Sequence, residues 1–163
     1  MGVLSATTAP VVRQDSAEVS RLLKEASTSA QRLVLTTDQF KSYSRSNLNW
    51  QSHVQKAGEV KDEVNALGIN LADLEALNHK ASPWQRQVIE EMRPILVELA
   101  QNTTFVIDYI RENPRSLRNP DYREALDNKY ELATQLAGLT GDSVSYSETT
   151  TRLDQLRNRL EMD

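Results

Sequence analysis

The sequence predicts an all-α, up-down-up-down antiparallel four-helix bundle with kinked or broken helices, and three observations carry that expectation. Apolar residues recur at steps of three and four along the chain, which is the helical period. Only five Gly and five Pro punctuate 163 residues. Between the punctuated places lie four segments of about 30 residues, each about 45 Å long as a helix and joined by short turns.

Residues 1–14 read as a disordered tail and residues 15–163 as one bundle domain. The tail has neither the basic start nor the apolar run of a signal peptide. The chain's many Ser, Thr, Asn and Gln residues nevertheless tip the expectation toward an exported or periplasmic protein over a cytoplasmic one. Helix 1 is placed at roughly 16–46, with Asp15 as N-cap and Glu18 three residues on. Its core face is Val19, Leu22, Leu23, Ala26, Ala30, Leu33, Val34, Thr37 and Phe40.

Ser46-Asn47-Leu48-Asn49 is a cluster of cap-forming residues and marks the first turn, with one continuous helix through it as the rival reading. Helix 2, roughly 48–81, carries Trp50, Val54, Ala57, Val60, Val64, Leu67, Leu71 and Leu74 in the alternating steps of a bundle seam. Ser82-Pro83-Trp84-Gln85 then starts helix 3, 83–113: a cap hydroxyl, Pro where its missing N–H costs nothing, and Gln to reach back. Val88, Met92, Ile95, Leu99, Asn102, Val106 and Ile110 form its stripe, flanked by Ile89, Leu96 and Ile107, and Asn113-Pro114 stops it. Asn119-Pro120-Asp121 starts helix 4, 120–161, with Tyr122, Leu126, Tyr130, Ala133 and Leu136 inward. Gly138 to Gly141 is expected to break it before a last stretch bearing Leu153, Leu156 and Leu160.

Folding the hairpins in register puts several breakers at one height. Gly68 and Pro94 lie thirteen residues before and after Ala81. The same exercise sets position 140 opposite Pro94 and position 26 opposite Gly68. Pro94 lacks the N–H that would bond Glu90, and Gly68-Ile69-Asn70 reads as a helix stop followed by a new cap. A candidate ligand-binding waist therefore comprises Ala30, Gly68, Asn70, Pro94 and Gly138. The competing expectation is a waist repacked around small residues.

Composition excludes several chemistries. With no Cys there is no disulfide, no thiolate metal site and no cysteine nucleophile. Nineteen basic against 23 acidic residues, net −4, opposes a reader of nucleic-acid phosphates. The longest aliphatic runs are triplets such as Leu33-Val34-Leu35, so no membrane span is expected. His53 and His79 sit 26 residues apart and cannot share a metal on one helix. Glu75 and His79 suit only one edge of a metal site, and the paired Glu-x-x-His pattern of di-iron bundles is missing. No metal and no cofactor are expected.

Asp62/Glu63, Glu90/Glu91 and Asp108/Glu112 read as solvated faces. Arg111, Arg115, Arg118 and Arg123, near the third turn, lie among acids that neutralise them. No serine elbow or phosphate loop occurs, so no catalytic residue is assigned and an enzyme is not expected. Trp50 and Trp84 are assigned to the core. Helix 2 and the stretch after Ser145 have the cleanest heptad seams, which favours a protein partner or self-association. The expected function is a non-enzymatic helical-bundle interaction or structural module. The alternative is a small-ligand-binding or sensor bundle with its site at the level of Gly68, Pro94 and Gly138.

Overall fold

The computed structural model describes residues 14–161. The fold is the expected all-α four-helix bundle: α1 (Ala17–Tyr43), α2 (Trp50–Ala76), α3 (Pro83–Glu112) and α4 (Pro120–Glu161), with one 3-10 turn, Asn78–Lys80, between α2 and α3. Each helix packs on two others, and α4 closes the ring against α1. The expected tail lies outside the described residues apart from Gln14. Among the described residues no helix is long and apolar enough to cross a membrane.

The first turn is real, because α1 ends at Tyr43 and the Asn49 side chain accepts from Ser52 N to start α2. The N-cap of α1 is Ser16, not Asp15: its hydroxyl accepts from Val19 N. Asp15 is otherwise engaged, its Oδ1 accepting from the Trp84 indole N–H at 2.7 Å. At the start of α3 the expected capping box forms between Ser82 and Gln85. Gln85 does more than cap. Fully buried, its Oε1 accepts from Ser82 N and Ser16 N, and its Nε2 donates to Ser16 O and Ser20 Oγ. One side chain thus closes the helix it begins and ties it to the first turn of α1.

The expected breaks do not occur. α2 runs unbroken through Gly68 and α4 through Gly138 and Gly141, and among the described residues no glycine has a positive φ. A helical glycine costs only about 1 kcal/mol, and in a bundle the packed face decides. Leu136, Thr140 and Ser143 of α4 stay buried across the glycines. Pro94 lies inside α3 with an exposed side chain, so its ring meets solvent rather than a packed neighbour.

Two seams are rotated from their expected positions. In α3 the buried line is Ile89, Met92, Leu96, Leu99, Thr103, Val106 and Ile110, while Val88, Ile95 and Asn102 sit at its flank. The α2 line starts at His53, not at Trp50 and Val54, which are 46% and 47% exposed. Trp50 occupies the first helical position, at the end of the bundle, where no further layer covers it. Trp84 is half-buried and hydrogen-bonded, at the margin of the core.

Candidate functional site

The five residues of the expected waist separate in the structure. Ala30 is in the core, while Gly68, Pro94 and Gly138 face solvent. A methyl group added at Gly68 or Gly138 would meet nothing within 4 Å. Asn70 is half-buried, and its amide donates to the Leu22 carbonyl of α1 at 3.0 Å. What the register did bring together is Gly141 of α4 and Ser27 of α1: a Cβ at Gly141 would make ordinary contact with Ser27 Oγ at 3.9 Å, among buried Ala26, Ala30, Thr140 and Ser143. Small residues there let α1 and α4 approach.

Several polar side chains lie inside the bundle, and two pairs of them meet there. His53 is 1% exposed, and its Nδ1 lies 2.7 Å from the Tyr122 hydroxyl. Tyr109 stacks on Tyr122, with Phe40 and Tyr43 edge-on to the imidazole. Burial lowers the His53 pKa and raises that of Tyr122, so both groups are neutral near pH 7. Lys129, also 1% exposed, donates from Nζ to Thr103 Oγ1 at 2.9 Å. Burial pushes its pKa down to about 7. The His53 ring also forms part of the wall of an open cleft of about 530 Å³ between residues 46–50 and 114–119, whereas Lys129 lies within the packed face between α3 and α4.

The surface is different along the last third of α4. This helix is 42 residues long against 27 for α1, about 63 Å against about 40 Å. Ser27, opposite Gly141, is ten residues from the start of α1, and ten residues past Gly141 α4 leaves the bundle. Tyr146 still rests edge-on against Trp84, with ring centroids 4.9 Å apart. From Thr151 to Glu161 every side chain is exposed.

Those three turns carry Leu153, Leu156 and Leu160, at 56%, 43% and 73% exposure. Their steps of three and four match positions a, d and a of a heptad. The line by which α4 packs into the bundle, Tyr122, Leu126, Lys129, Ala133, Leu136, Thr140 and Ser143, would continue at Thr150, Asp154 and Arg157. The leucines are displaced from it by one residue, about 100° around the helix. They form a second seam, turned away from the chain's own core. Arg152, Arg157 and Arg159 flank it at the g, e and g positions. Among the described residues none of the three makes an ion pair.

Elsewhere α3 and α4 enclose a surface groove of about 730 Å³. It is lined by the carboxylates of Glu98, Asp121, Glu124 and Glu131 and by apolar Phe105, Ala125 and Leu132, and no basic residue lines it. A smaller cleft of about 390 Å³ lies between Trp50, Val54, Ile107 and Pro114, with Arg111 at its edge. Heptad spacing after Ser145 already pointed to the leucine seam; the groove, made by residues on two helices, had no linear signal. No protein-family model, curated protein or solved structure matches the chain.

Proposed function

We propose that the chain is a non-enzymatic helical-bundle interaction module whose working surface is the free end of α4. The observation that carries this reading is the second seam: three leucines at heptad spacing on a helix that outruns its bundle, turned about 100° from the packed line. A helix end without tertiary contacts gains nothing from exposed leucines, whereas a facing helix or groove would bury them. The His53–Tyr122 hydrogen bond and the four hydrogen bonds of Gln85 tie together the platform that holds the helix out.

The test is positional photo-crosslinking in the cells that make the protein. A photo-reactive residue in place of Leu153 or Leu156 is expected to capture a polypeptide, this chain or another. The same residue in place of Leu35, which is 66% exposed on α1, is expected to capture none. Equal labelling from both faces, or none from α4, would refute the reading.

A further inference from the structure

We infer that the free end of α4 docks into the acidic α3/α4 groove of a second copy of this chain, joining copies head to tail. The inference rests on the reading of the α4 end as a docking helix and adds its occupant. Two complementary surfaces occur on one molecule. The docking helix presents an apolar line bordered by three arginines, with Asp154 and Glu161 one position outside it. The groove presents Phe105, Ala125 and Leu132 bordered by four carboxylates and no cation. Arg forks pair well with carboxylates, and such rim complementarity fixes orientation and partner choice.

Length agrees as well as charge. The free end spans eleven residues, about 16 Å, and the groove follows α4 from Asp121 to Gln135, about 21 Å. Docking within one molecule is impossible. Groove and free end belong to the same unbroken helix, with Asn128 and Leu156 about 42 Å apart along its axis. Side-by-side pairing of two free ends is also disfavoured. In a parallel pair Arg152 would face Arg157, and in an antiparallel pair the g-position arginines would face each other. The remaining arrangement is heterologous, with each copy using one face to give and another to receive. As a partner for the arginine-bordered seam the N-terminal segment is poorer than the groove, since no acidic residue precedes Asp15.

The experiment is sedimentation equilibrium of the whole chain, with two charge-reversed variants made at exposed positions. Wild type is expected to associate with rising concentration beyond a dimer. R152E/R157E/R159E alone and E98K/E124K/E131K alone are each expected to weaken association by roughly a hundredfold. An equimolar mixture of the two should restore it, because each seam then meets a groove of opposite charge. Circular dichroism of both variants checks that the fold is kept. A wild type that stays monomeric overturns the inference, as does association unaffected by the reversals or a mixture that fails to recover. A monomer whose Leu156 photo-crosslinks to a different protein, or to its own N-terminal segment, overturns the head-to-tail contact while leaving the docking helix standing.

Discussion

Lys129 Nζ and Thr103 Oγ1 lie 2.9 Å apart across the interior face between α4 and α3, and burial is what shifts the lysine's pKa, down to about 7. The unfolded chain keeps this proton up to about pH 10.4, whereas the folded chain releases it near 7. Between those values the unfolded state binds more protons, so stability rises with pH.

The first prediction follows from that sign. Between pH 7 and 9.5, below the range where tyrosines ionise, urea denaturation is expected to show stability climbing by up to about 1.4 kcal/mol per pH unit. Below pH 7 this contribution levels off, with the charged form buried. Lys129→Met should flatten the rise and stabilise the protein at pH 7, because it fills the same space without a charge. Parallel pH profiles for wild type and variant would show that Lys129 titrates normally.

A second prediction concerns His53 and Tyr122. Tyr122→Phe removes a buried hydroxyl and strands the imidazole, at about 1–3 kcal/mol. A double-mutant cycle with His53→Phe should return a coupling of about 1 kcal/mol. The His53 pKa is lowered by burial, so the unfolded state takes the proton first as pH falls. Stability is full above about pH 6.5 and lost below it, and His53→Phe should blunt that acid-side loss.

Gln85 supports a third. Its amide serves four partners on two elements, so Gln85→Leu should cost about 3 kcal/mol. Amide exchange should accelerate at Ser16 and Ser82 before it does in the middle of α3. Uniform acceleration along the helix would argue against this local role.

The fourth runs in the stabilising direction. Gly68→Ala and Gly138→Ala each place a methyl group in open space on a regular helix. Each should raise stability by about 0.5–1 kcal/mol, and the two should add, since they lie on different helices. A loss at either position in a thermal melt would reveal a constraint at the candidate waist.

Periodicity and cap chemistry made the fold legible. Ser82-Pro83-Trp84-Gln85 and Asn119-Pro120 start helices where expected, because a cap satisfies N–H groups locally. The α4 breaks misled because a glycine's cost is local and small, while burial of Leu136, Thr140 and Ser143 against neighbouring helices is not. Lys129 was missed for a related reason. It stands on the heptad step from Leu126 to Ala133, but Tyr130, one residue on, is the apolar choice; in the structure Tyr130 is half-buried beneath Lys41. The leucine seam could be read from spacing alone, and its direction only once the packed line of α4 was known.

Mechanically, α4 is a cantilever, clamped over its first thirty or so residues and free over its last eleven. A load applied at Leu156 reaches the clamp as torque; the first contact it meets is Tyr146 against Trp84, and behind it α4 faces α1 at Gly141 and Ser27. There the two helices meet through short buried side chains, Ser27, Thr140 and Ser143, so a tilt of α4 is felt by α1. A bending force on the free end is therefore passed to α1 as a whole, and a stiffer lever arm comes without any added residue.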